Sequence, residues 1–214
     1  MVMRRPSPWW RASRFPNASV EDVTVSALVI GLGNPGPEYA QTRHNVGQMV
    51  AEDVVRRAGA ALTVNKKTHA RLATVRVAGQ SIAVGVPMSY MNLSGGPVSS
   101  LAKYHSVEPG DVIVIHDDLD IPFGDVRLKR GGGSGGHNGL KDITKALGTP
   151  EYIRVRIGIG RPPGRMDAAT FVLKPFSSAE RKELDMLIAD GADAVEAILA
   201  DGLEAAQLRW HTAR

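Results

Sequence analysis

Cysteine is absent from the 214 residues. That excludes disulfides, thiolate nucleophiles and thiolate-built metal sites, and a reducing compartment is the easier fit. Aromatic residues are scarce, at 5%. No apolar run approaches the roughly 20 residues that cross a bilayer, so no membrane partner is expected. The spacing of a phosphate-binding G-x-x-x-x-G-K-[ST] loop is also missing. What is present is an ordinary globular composition, 43% hydrophobic and 22% charged, with a length that suits one domain.

The net charge of +4 is unevenly placed. Arg4, Arg5, Arg11 and Arg14 lie in the first 20 residues, which hold no acid. Removing those four from 26 basic residues leaves 22, against 22 acids in the whole chain. Residues 1–22, with Pro6, Pro8 and Pro16 and no periodicity, read as a flexible basic arm. Residues 23–214 read as one folded domain. Within it, Arg127 to Arg165 carries nine basic residues and two acids. A neutral body with one basic stretch points to a local anionic partner, although a solvated polar face has the same composition.

Strands and helices interleave, which predicts an α/β fold: a single-domain three-layer sandwich, a mixed β-sheet surrounded by α-helices. Val23–Ile30 reads as a strand. Val46, Val50, Val54 and Ala58 recur at helical spacing, and Gly59 stops that helix. Arg71–Val77 and Ser81–Val86 flank a hairpin turn. Pro97 to Ala102 starts another helix, and Asp111–His116 reads as a central strand. His137–Leu147 reads as a helix. Ile153, Val155, Ile157 and Ile159 alternate with polar residues and glycine, as in a half-buried strand. Ser177-Ser178-Ala179-Glu180 is a capping box ahead of a long helical C-terminus.

Gly31, Gly33 and Gly36 spell G-x-G-x-x-G after a strand, the mark of a dinucleotide loop. Pro35 and Pro37 oppose that reading, because they remove amide donors and interrupt the helix start that would hold a pyrophosphate. Asp53 has the separation of a ribose-binding acid, but it falls within the predicted helix. A second reading takes Asn34 and His44 from this segment as site residues. His is the side chain best matched to proton transfer near neutral pH. Asp117, at the end of the Asp111–His116 strand, is placed to fix the tautomer of an imidazole. With no thiol present, His and Asp point to water as nucleophile. A His/Asp metal site is the alternative, against which the histidines show no i, i+4 pairing. Asn34, Asn92 and Asn138 each follow a predicted strand. Arg127 and Lys129 share one strand face, as do Arg154 and Arg156, and adjacent strands would make them a phosphate-gripping cluster.

Taken together, these segments resemble the bacterial-type peptidyl-tRNA hydrolase family. The resemblance rests on Gly31-Leu32-Gly33-Asn34-Pro35-Gly36, Tyr39, Thr42-Arg43-His44-Asn45, Met91-Asn92-Leu93-Ser94-Gly95 and His116-Asp117-Asp118-Leu119-Asp120. Gly131–Gly139 with Lys141-Asp142, and Arg156-Ile157-Gly158-Ile159-Gly160, complete it. It implies hydrolysis of the ester between a peptide and the terminal ribose of tRNA by a cytoplasmic monomer, with no metal or cofactor. It implies His44 as the base, Asp117 as its orienter and Asn34 at the peptide end. Tyr39, Met91, Asn92, His137 and Asn138 would line the substrate. Lys129 and Arg156, with Arg127 and Lys141 nearby, would clamp the tRNA 5′-phosphate. A non-catalytic RNA- or nucleotide-binding module, using the glycine loops and basic strands, and a small-molecule esterase are the competing readings.

Overall fold

The computed structural model describes residues 24–212. The predicted N-terminal arm lies outside the described residues. Seven strands form one sheet in the order β2-β3-β4-β1-β5-β7-β6. They are β1 (Ala27–Gly31), β2 (Thr63–Asn65), β3 (Ala70–Val77), β4 (Gln80–Pro87), β5 (Val112–Asp118), β6 (Val126–Arg130) and β7 (Ile153–Gly158). The four central strands β4, β1, β5 and β7 run parallel; β3 and β6 pair antiparallel with β4 and β7, and β2 pairs antiparallel with β3 at the edge. Parallel strands must be covered on both faces, which is why Ala27-Leu28-Val29-Ile30 and Val112-Ile113-Val114-Ile115 are unbroken apolar runs.

The helices supply that cover. They are α1 (Val46–Arg57), α2 (Gly95–His105), α3 (Asn138–Leu147), α4 (Ala168–Val172), α5 (Arg181–Asp201) and α6 (Leu203–Thr212). Val50, Val54, Leu187 and Val195 pack with Val29, Ile113 and Ile115 on one face. Val98, Leu101, Leu140 and Ile143 pack with Leu28, Ile30 and Val114 on the other. This is the expected three-layer sandwich. Asp53 serves structure, pairing with Arg56 and Arg57 on the surface of α1.

The chain leaves β1 toward β4 on one side and reaches β5 on the other. The order therefore reverses at β1, and ligand sites in such sheets form beyond the strand ends at this point. Gly47 permits a close approach there. A Cβ on it would stand 2.2 Å from the Ile115 carbonyl oxygen, so only glycine lets the start of α1 reach the end of β5.

Local pattern falls short in two places. The short β2 and α4 carry no periodic signal. And β7 is not half-buried: five of its six residues are buried, Arg154 among them. It is an interior strand, and the glycine-rich segment 131–136 closes over Arg154.

Candidate active site

The loops after β1, β4 and β5, the glycine-rich loop and α4 enclose a cleft of about 730 Å³. Asn34, Tyr39, His44, Met91, Asn92, Asp117, His137 and Asn138 all line it, so the sequence-predicted catalytic and substrate residues converge. The basic residues Arg127, Lys129, Arg156 and Lys141 do not line the cleft.

Asp117 ends the buried part of β5 and is 3% exposed. Its Oδ1 accepts from His44 Nδ1 at 2.9 Å and from His137 Nε2 at 3.0 Å. Burial alone would raise its pKa, but the two facing imidazoles outweigh that and hold the carboxyl well below the usual carboxylate range. One buried carboxylate thus orients two imidazoles, where the sequence suggested one.

Each histidine's other nitrogen has a different fate. His137 is the N-cap of α3, and its Nδ1 accepts the Leu140 amide at 3.4 Å. Both its nitrogens are engaged. His116 donates from Nδ1 to the Asp117 carbonyl at 2.7 Å, and its buried Nε2 has no partner among the described residues. Burial, with His137 beside it, pushes His116 down to about 3, so it is neutral. His44 alone combines an Nδ1 fixed by carboxylate with an Nε2 that has no hydrogen-bond partner among the described residues.

Asn34 is fixed from three directions. Its Oδ1 accepts from Met91 N at 2.7 Å, its amide donates to Asn45 Oδ1, and its carbonyl accepts from Asn45 Nδ2, the latter two at 2.9 Å. Its Nδ2 has no hydrogen-bond partner among the described residues. The buried Asn45 thus latches the Gly31–Pro37 loop, a role its position beside His44 did not reveal. The glycines and prolines shape a strand exit here and precede no dinucleotide-binding helix.

Arg43 was also missed. Its guanidinium donates to Glu180 Oε2 at 2.6 Å and to the carbonyls of Pro175 and Lys174 at 2.8 and 3.1 Å. It stacks over Phe171 at 4.2 Å. It ties the turn carrying His44 to α4, whose Val172, with Ala169 and Leu173, walls the cleft. The capping box forms as expected, Ser177 N donating to Glu180 Oε2 and Glu180 N to Ser177 Oγ. The same glutamate serves Arg43, which no local pattern signals.

The basic residues face one another as anticipated, with Arg127 opposite Arg156 and Lys129 opposite Arg154. They are partly engaged within the protein. Arg156 Nε donates to Asp118 at 2.9 Å, and Arg127 reaches Asp125 at 3.4 Å. Arg154 is buried and is no surface cation. Lys141 is exposed in the first turn of α3. Gly132–Gly136 spells G-x-S-x-G around Ser134, but β6 ends at Arg130 and α3 begins at Asn138, so no strand-to-helix elbow is built. The donor atoms of His44, Asp117 and His137 lie within 4.8 Å of one another, and the N–H···carboxylate bonds account for that spacing.

The peptidyl-tRNA hydrolase family profile matches residues 28–214. This chain belongs to the peptidyl-tRNA hydrolase family. It is 58% identical over 188 residues to the peptidyl-tRNA hydrolase of Rhodococcus erythropolis, covering 88% of this chain and 99% of that one. It is 53% identical over 192 residues to that of an Arthrobacter strain, covering 89% and 99%. The crystal structure of the Acinetobacter baumannii peptidyl-tRNA hydrolase superimposes with a TM-score of 0.82 at 35% identity, over 89% of this chain and 96% of that one. No helix among the described residues is long and apolar enough to cross a membrane.

Proposed function

We infer that this member of the peptidyl-tRNA hydrolase family cleaves the ester joining a peptide to the terminal ribose of tRNA, with His44 activating water. The observation carrying the mechanism is the difference among the three imidazoles. His44 is the one of the three whose Nδ1 is held by the Asp117 carboxylate while its Nε2 has no hydrogen-bond partner among the described residues; His116 Nε2 is also unpartnered, but its Nδ1 is spent on a backbone carbonyl and its ring is buried.

The step follows from that arrangement. His44 Nε2 takes a proton from water as the water oxygen bonds to the ester carbon. Asp117 stabilises the imidazolium that forms. The acyl–oxygen bond then breaks and His44 returns the proton to the ribose oxygen, giving a free carboxylic acid and tRNA. Asn34 Nδ2, with its Oδ1 pinned on Met91, holds the substrate carbonyl, and Asn92 and Asn138 bind water and substrate backbone. Tyr39 and Met91 line the peptide. A positioned base contributes roughly 10²–10⁴-fold and a donor to the oxyanion about 10²–10³-fold, sufficient without a covalent intermediate. Lys129 and Arg156 hold the tRNA 5′-phosphate, with Arg127 and Lys141 adding positive charge. The enzyme acts as a cytoplasmic monomer in this reading.

The test compares N-acetylaminoacyl-tRNA with free aminoacyl-tRNA, each with and without chelator. Cleavage of the blocked ester, insensitive to chelator, supports the reading. Equal cleavage of both esters supports a general esterase, and loss with chelator supports metal-activated water.

A further inference from the structure

Arg154 is a buried cation, 3% exposed, that no carboxylate pairs with among the described residues. Buried charges are ordinarily paired because desolvation is costly. Here the guanidinium stacks on the Tyr152 ring at 4.9 Å. It donates to the carbonyl oxygens of Gly132 at 2.6 Å and Gly133 at 2.7 Å, while its Nε has no partner among the described residues.

Those two bonds fix the direction of two peptide planes. In a trans peptide the carbonyl and the following N–H point opposite ways, and no cis peptide occurs among the described residues. With both carbonyls turned inward to Arg154, the N–H groups of Gly133 and Ser134 turn outward. Neither has an acceptor among the described residues, and a Cβ on Gly133 would meet open space. The positive charge beneath polarises both peptides in the same sense. Lys129 Nζ adds to the field, standing 2.7 Å from where a Cβ on Gly132 would lie. The carboxylate of Glu151 stands against Gly131, at the foot of the loop. Ser134 itself lines the cleft that holds His44.

We propose that the Gly133 and Ser134 amides, backed by Arg154 and flanked by Lys129, form a subsite for one internucleotide phosphate of the single-stranded 3′ end of the tRNA substrate. It rests on the peptidyl-tRNA reading above and extends it. The subsite stands at the rim of the cleft, where the strand bearing the ester enters. Two outward N–H groups over a fixed charge suit a phosphodiester, whose non-bridging oxygens accept two bonds. Such a contact reads backbone and no base.

The test uses the full-length enzyme and short esters. N-acetylaminoacyl-adenosine carries no phosphate, and the CCA trinucleotide ester carries two linkages, each replaceable by a neutral methylphosphonate. The expected result is that one linkage, when neutralised, lowers kcat/KM about tenfold or more. Ser134→Pro removes one of the two donors. It loses the same factor on the all-phosphate trinucleotide and a smaller factor on the adenosine ester, because Ser134 also lines the cleft. Neutral linkages without cost, or equal losses on all esters, overturn the subsite; the first arm decides even where Ser134→Pro fails to fold. In parallel, amide NMR with inorganic phosphate follows Gly133 and Ser134 without hydrolysis. Shifts at both support the subsite, and their absence contradicts it. Failure to cleave any ester while the amides still shift counts against the catalytic reading alone.

Discussion

His44 presents Nδ1 to Asp117 Oδ1 at 2.9 Å, although 73 residues separate them in sequence. The contact exists because Gly47 lets the start of α1 touch the end of β5. Gly47→Ala is therefore expected to act on both stability and rate. Overpacking at a backbone contact costs about 1–3 kcal/mol, and the shift carries His44 away from Asp117. Urea unfolding and steady-state rates on the same sample check this: a stability loss with kcat unchanged contradicts it.

Asp117→Asn keeps the shape and removes the charge. The amide lacks the negative charge that stabilises the imidazolium, and one of its two groups is a donor facing an imidazole N–H. kcat is expected to fall by roughly 10²–10⁴-fold, with KM for peptidyl-tRNA nearly constant. His137→Ala leaves the His44 contact in place and removes the α3 cap. It is expected to lower kcat less than Asp117→Asn and to cost about 1 kcal/mol of stability. The reverse ranking of the two rates contradicts the assignment of roles.

Arg43 is buried and pairs with the half-buried Glu180, their side chains 7% and 18% exposed. Removing one partner of a fully buried pair costs about 3–5 kcal/mol; solvent at Glu180 screens part of that, so Arg43→Ala is expected to lose about 2–3 kcal/mol in denaturant unfolding, and an unchanged midpoint contradicts it. Glu180 is held below the usual carboxylate range: burial opposes this, and its bonds to Ser177 and Arg43 prevail.

The buried neutral His116 makes stability depend on pH. Its folded pKa of about 3 lies below its ordinary value of 6.5. Between those values the unfolded chain binds the proton and the folded chain does not, so stability rises with pH across that window. It is fully present above about 6.5 and lost as pH falls toward 3, with a limiting slope of about 1.4 kcal/mol per pH unit. Asp117 contributes in the same direction at lower pH, since its folded pKa is depressed. His116→Gln is expected to flatten the stability–pH curve between pH 6 and 4, as read by urea midpoints; an unchanged slope contradicts a neutral His116.

The double change Lys129→Ala with Arg156→Ala is expected to weaken tRNA esters far more than N-acetylaminoacyl-adenosine. It should also reduce the salt dependence of binding by about two in slope. Equal losses on both substrates remove the clamp.

The strand runs at Ala27–Ile30 and Val112–Ile115, the Val46–Val54 periodicity and the hairpin around Gly79 are local signals, and each became the expected element. His44, Asp117 and Asn34 each have an ordinary capping or turn role open to them, and they stood out only as a set, through the segments that resemble the family. Arg154 was legible as a cation on a strand face but not as buried, because its cover comes from a loop whose path over β7 no local pattern sets. The second imidazole on Asp117 and the grip of Arg43 on Glu180 are likewise long-range pairings. Short elements such as β2 and α4 hold too few residues to show a period.

Whether His44 Nε2 activates the water is read from single-turnover cleavage of N-acetylaminoacyl-tRNA by His44→Ala, with tRNA binding measured on the same preparation. The cleavage rate is expected to fall at least about 10²-fold with binding within a few-fold of the unmodified enzyme. Cleavage at the unmodified rate would contradict it.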